Sequence, residues 1–118
     1  MFTVTYDEGV NKRRIKLSKL VQLFSENPAK IFGLYPKKGV LQEGSDADLI
    51  LLDPNQIHTI QHKTQHSGAP YTLYEGRRCR GMVTLTMQRG RVLVEDGELK
   101  AKPGEGNFLP TKFKKINL

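Results

Sequence analysis

Three histidines, His58, His62 and His66, recur at intervals of four residues. On a helix that spacing would stack three imidazoles along one face, an arrangement able to hold zinc or a similar metal. Ile57 and Ile60 favour a short strand instead, so a polar surface is preferred over a metal site. The single cysteine, Cys79, stands between Arg78 and Arg80, and neighbouring positive charge can lower a thiol pKa and raise its reactivity. No base partner for it is identifiable, so nucleophilic catalysis is not assigned. Asp46 and Asp48 could present carboxylates to a cation, but no calcium-loop pattern surrounds them, and their place before a strand suits turn hydrogen bonding. Tyr71, Tyr74 and Phe108 could line a ligand pocket or a subunit contact, with ordinary packing the simpler expectation. No residue of the chain is therefore given a catalytic, cofactor-binding or metal-binding role.

The elements that must carry these residues change character along the chain. Leu17, Leu20, Val21 and Phe24 follow the i, i+3, i+4, i+7 spacing of a helix with one buried face. A second, short helix is expected at once, with Asn27 as N-cap, Pro28 in the first turn and Gly33 at a left-handed end. Gly39 and Gly44 then punctuate two turns. Leu49-Ile50-Leu51-Leu52 is apolar without alternation, which predicts a strand covered on both faces and ended by Asp53-Pro54. A weaker strand over 57–60 follows, and 61–80 reads as a long ordered loop anchored by Tyr71, Leu73 and Tyr74. Alternation resumes at Val83, Leu85 and Met87 and again at Val92 and Val94, with turns at Arg89-Gly90 and Asp96-Gly97. The tail carries Phe108, Leu109, Phe113 and Ile116 and is expected to pack on another surface.

The resulting fold class is α+β: short N-terminal helices, a small, mainly antiparallel sheet, and a C-terminal arm. The boundaries fall at residues 1–36, 37–102 and 103–118. At 118 residues the chain is below the roughly 250 of a (β/α)₈ barrel, which argues for a part rather than a whole. No apolar run approaches the roughly 20 residues of a membrane span, and the first residues carry no secretory pattern. With one cysteine, a cytoplasmic setting is expected. Nineteen Lys and Arg against twelve Asp and Glu give a net charge of +7. The excess gathers at 12–14, 77–80 and Lys112, Lys114 and Lys115, in segments that read as loops or termini. Without interleaved aromatics, this is a solvated basic surface in preference to a nucleic-acid site.

Several motifs, in order, make the chain resemble the C-terminal part of the amidohydrolase superfamily, in its dihydropyrimidinase and hydantoinase branch. Glu8-Gly9-Val10 with Arg14-Ile15 resembles the family's E-G-V-x-x-G-R-I, with Arg13 where glycine is usual. Asn27 to Leu34 and Lys38 to Pro54 resemble N-P-A-K-x-F-G-L and K-G-x-L-x-x-G-x-D-A-D-L with its strand. Lys63-Thr64 with His66-Ser67 resembles K-T-x-H-S, and Tyr74-Glu75-Gly76 resembles the branch's Y-E-G. Gly104, Gly106 and Phe108 resemble the start of its C-terminal arm.

The resemblance implies that the helices are the remnant of a TIM-barrel closing segment and the strands half of a composite β-sandwich. It implies a parent that hydrolyses cyclic amides with two divalent metals, typically zinc, held by histidines, an aspartate and a carboxylated lysine. None of those ligands, nor the catalytic aspartate, maps onto this chain, so the chain is expected to be inactive alone. Expected partners are a second copy of itself or a complementary barrel-bearing chain. The alternatives are a non-enzymatic interaction module of the same family and a basic nucleic-acid-binding domain.

Overall fold

The computed structural model describes residues 1–111. Helix α1, Phe2–Thr5, widens directly into a π-helical segment, Tyr6–Asn11. Its β-branched Thr3, Val4 and Thr5 disfavour a helix locally, and no periodicity marks this element, although it falls in the segment 1–36 expected to be helical. Packing decides it: Val4 and Tyr6 are buried, and Val4 joins Ile60 and Cys79 in the core, with Tyr74 against them.

Helix α2, Leu17–Val21, continues through a π-helical segment, Gln22–Glu26, into α3, Asn27–Ile31. Asn27 is therefore inside a continuous helix and is not its N-cap. It has helical dihedrals, and its N–H donates to the carbonyl of Gln22 five residues back. The widened turn lets the chain run through Pro28, which has no N–H to contribute to a regular turn. Gly33 ends the helix at φ 67°. Its N–H donates to Lys30 and that of Leu34 to Ala29, the paired closure expected of a left-handed cap. Of the expected apolar stripe, Leu20 is fully buried and Phe24 sits edge-on to Phe2, whereas Leu17 and Val21 are about half exposed.

Among the described residues, four antiparallel strands form one open sheet in the order β1-β2-β3-β4. They are β1, Leu49–Thr59, β2, Arg78–Gln88, β3, Arg91–Glu95, and β4, Glu98–Leu99. The turns at Arg89-Gly90 and Asp96-Gly97 have positive φ at both residues, the mirror-image turn that suits the strand twist.

Two expectations fail in β1. The strand does not end at Asp53-Pro54: it runs on to Thr59, taking in the weaker segment. Its register against β2 breaks between Asp53 and Ile57, so Pro54 falls where the ladder requires no N–H. Nor is β1 covered on both faces, since Ile50 is 40% and Leu51 54% exposed. Helix α1 and its continuation pack on β2, and among the described residues the main packing of β1 is on β2. A third correction concerns Arg78 and Arg80, which lie in β2 opposite Thr59 and Ile57 and not in a loop. Phe113, Ile116 and the tail lysines lie outside the described residues.

Candidate functional site

The three histidines do not converge. His58 lies in β1 opposite Cys79, and its Nδ1 is buried with no partner among the described residues. His62 opens a single 3₁₀ turn, His62–Thr64, where its N–H donates to Glu75 Oε2 at 2.7 Å and its Nδ1 lies 3.2 Å from the same oxygen. His66 Nε2 lies 2.9 Å from the carbonyl of Gly97.

These contacts give the K-T-x-H-S and Y-E-G stretches a structural job. Glu75 closes the base of the loop, while the N–H of Gly76 donates to Ile60 at 2.9 Å. His66 then ties the loop to the β3–β4 turn. Glu75 was visible in sequence only as part of a motif, because its partner lies thirteen residues away.

Cys79 is 1% exposed within the core beside Val4 and Ile60, where a thiol is inert. Asp46 and Asp48 hold the ammonium of Lys38 at 2.7 and 2.5 Å, and Asp48 Oδ1 accepts the N–H of Arg89 at 2.9 Å. Burial works against the charge on Lys38, but its hydrogen bonds to Asp46 and Asp48 outweigh this and raise its pKa. The same hydrogen bond lowers that of Asp46 against a smaller opposing effect of burial. The pair of carboxylates thus fixes the entrance of β1 and the β2–β3 turn.

Two basic clusters that are distant in sequence meet around one carboxylate. Glu8 accepts from Lys12 at 2.6 Å, lies 3.3 Å from Arg14 and is bonded by Arg77. The Lys12 hydrogen bond, opposed by burial and helped by the charges of Lys12, Arg77 and Arg14, lowers its pKa. Beside it, Asp7 Oδ1 accepts from Asn11 at 3.0 Å and from the N–H of Arg80 at 3.3 Å. Asn11 also donates to the carbonyl of Arg80 at 2.8 Å. Arg77, just before β2, and the Asp7 and Asn11 bonds to Arg80 in β2 thereby fasten the first helical segment to the sheet.

An open cleft of about 780 Å³ lies between the chain start at Met1–Thr3, the sheet at His58 and Val83, and the loop at Lys63–His66. The aromatic candidates divide: Tyr74 packs on the core, whereas Tyr71 is 67% and Phe108 90% exposed. Leu73, an expected anchor, is 87% exposed.

Among the described residues no three His, Cys, Asp or Glu side chains come together as a metal site. With His66 and His62 engaged in loop closure and Asp46 and Asp48 around Lys38, these residues do not fit the metal pair of the resembled family. No helix among them is long and apolar enough to cross a membrane. What the chain does present is a surface: the exposed apolar run of β1 and a strand edge unpaired among the described residues.

Comparison with known proteins places that surface in a larger frame. The model of the amidohydrolase family matches residues 1–93. The D-phenylhydantoinase of Escherichia coli is 42% identical over 107 residues, which is 91% of this chain and 23% of that protein. A solved D-hydantoinase from a Bacillus species superposes at a TM-score of 0.89 and 35% identity, over 97% of this chain and 25% of its own. The dihydropyrimidinase of Brevibacillus agri gives 0.80 and 36%, over 84% and 22% respectively. The chain thus spans about a quarter of the length of the relatives it matches.

Proposed function

The chain belongs to the amidohydrolase family, and from that premise we propose that it is the C-terminal portion of a dihydropyrimidinase- or hydantoinase-type hydrolase of cyclic amides. On its own it is inactive. Its work is to close the barrel side of the parent and to supply sheet and subunit contacts, while the two-metal centre belongs to the upstream part. The observation that carries this reading is the superposition on a D-hydantoinase over 97% of this chain but 25% of that one.

The test is direct. The purified 118-residue chain, supplied with zinc, is offered dihydropyrimidine and hydantoin rings. No turnover and no tight binding of two metals is expected, and either one would overturn the inactive-alone clause. Mixing with a barrel-bearing chain that lacks this portion should restore hydrolysis. Intact-mass measurement of the native product would then separate a long parent from a fragment made at 13.4 kDa.

A second reading, a non-enzymatic interaction module, is favoured by the exposed apolar residues of β1. It predicts stable assembly with no gain of hydrolysis on mixing.

A further inference from the structure

The turn between β2 and β3 holds a residue that its backbone does not favour. Arg89 and Gly90 have φ 50° and 77°, the mirror-image hairpin geometry in which asparagine, aspartate or glycine is the usual first residue. A long side chain there meets the steric penalty of the left-handed region and gains nothing from the turn itself. The N–H of Arg89 donates to Asp48 Oδ1 at 2.9 Å, a bond open to any residue except proline. What only the side chain supplies is a second bond: its guanidinium donates to the carbonyl of Glu105 at 2.8 Å.

Glu105 lies in the C-terminal arm, and the arm is attached through it. At the arm's root the N–H groups of Lys100 and Ala101 donate to the carbonyl of Leu93. From Lys102 to Asn107, the hydrogen bonds and ion pairs among the described residues all involve Glu105. Its Oε1 lies 2.8 Å from Arg91. Its Oε2 accepts the N–H of Lys102 at 2.8 Å across the turn at Pro103-Gly104, where Gly104 has φ 86°. Apart from Pro103, this stretch has no apolar side chain to seat against the sheet.

We infer that residues 101–107 form a releasable strap, latched to the β2–β3 hairpin by Arg89 and Arg91 through Glu105. Latched, the arm leaves the sheet at a fixed place and carries the exposed Phe108 with it. Released, it is held only at its root on Leu93. The latch is charge-assisted yet open to water, with the side chains of Arg91 and Glu105 47% and 31% exposed, so it holds the arm and can still open. This accounts for arginine in the turn: the local strain is retained because the guanidinium serves the arm. All of these contacts are internal to the chain, so the inference stands apart from the proposed function.

A glutamate-specific protease reads the latch directly, because it must take the carboxylate and the carbonyl of Glu105 out of their contacts. Cleavage of the full chain after Glu105, compared with cleavage after Glu43 in an exposed turn, tracks the released population where closing is faster than cutting. In the wild type, cleavage after Glu105 should be at least about tenfold slower than after Glu43. Arg89→Asn should speed cleavage after Glu105 about fivefold or more and leave Glu43 unchanged. Its melting midpoint should hold or rise, because asparagine accepts the left-handed turn. Hydrogen exchange at the Lys102 N–H, whose acceptor the substitution leaves in place, should quicken while the β2 amides do not. A wild type cut equally fast at both sites, no acceleration after Glu105 in Arg89→Asn, or an equal acceleration after Glu43 would each overturn the proposal.

Discussion

The two edges of the sheet are built on opposite principles. The β4 edge is two residues long, Glu98–Leu99, carries the Lys100–Glu98 ion pair at 2.6 Å, and is folded back by the N–H groups of Lys100 and Ala101 onto Leu93. The β1 edge is eleven residues long, lacks basic side chains and leaves Ile50, Leu51 and Ile57 in contact with solvent. A short, charged edge limits its own pairing, and a long apolar one invites it. The chain thus finishes one side of its sheet and leaves the other for another strand. The same asymmetry runs through the layer above, where the π-helical continuation of α1 is pinned to β2 by Asp7 and Asn11 and to Arg77 by Glu8, while among the described residues no helix packs extensively on β1.

The finished side should be the fragile one. At Gly81 a Cβ would lie 2.5 Å from two ring carbons of Tyr6, and φ there is 105°. Gly81→Ala therefore forces Tyr6 off β2 and strains the backbone, at about 3 kcal/mol from overpacking and the left-handed penalty together. A denaturant titration should read that loss. A loss below about 1 kcal/mol would show that the helix is not fixed on the sheet by this contact.

How far this could be read from sequence follows the same division. Both hairpin turns, the left-handed end at Gly33 and the pairing of β2 with β3 are local signals, and the structure has all of them, although residues 83–88 and 92–94 are half-buried throughout and do not alternate. What failed was non-local. Helix α1 has a strand-favouring sequence, and Tyr6 against Gly81 overrides it. Asn27 and Pro28 look like a helix start, but the widened turn before them lets the helix continue. The apolar run of β1 correctly marked a strand and wrongly implied cover, because sequence reports that a residue avoids water without saying what shields it. The histidine spacing was equally mute: His58, His62 and His66 fall on a strand, a 3₁₀ turn and a loop, each with a different neighbour.

A smaller effect, of opposite sign, is expected at Arg13, which adopts φ 57° where the family usually has glycine. Glycine takes that conformation without a Cβ clash, so Arg13→Gly should stabilise the join between α1 and α2 by about 1 kcal/mol. The melting midpoint would then rise by roughly 3–5 °C for a domain of this size. An unchanged or lower midpoint would mean that the arginine side chain contributes more than its backbone costs.

Charge holds the helix side at Glu8 and the entrance of β1 at Asp46, so acid should loosen both. Glu8 and Asp46 have folded pKa values below their ordinary 4.5 and 3.8. Their contribution is therefore complete above those values and fades as the pH falls through the lower folded ones. Lys38, raised above 10.5, behaves conversely: its contribution is complete below that value and is lost as the pH rises through the higher folded one. Thermal melts should accordingly be flat between about pH 5 and pH 10 with respect to these groups, then decline on either side. Because the carboxylates are solvent-accessible, 150 mM salt should shrink the acid-side decline. A decline that ignores salt would assign it elsewhere.

The smallest expected change in stability falls on the unfinished side and is the most discriminating. Leu51 is 54% exposed and β1 packs mainly on β2 among the described residues, so Leu51→Lys should alter stability by no more than about 0.5 kcal/mol, as surface substitutions generally do. If its apolar side chain were part of the chain's own core, the substitution would cost several times more and would unfold the chain. The two outcomes separate in one denaturant titration followed by secondary structure. An unchanged midpoint means that the apolar run does not serve this chain's own core. A large loss would mean that β1 is as much a part of the finished core as Leu20, and the contrast between the two edges would fall.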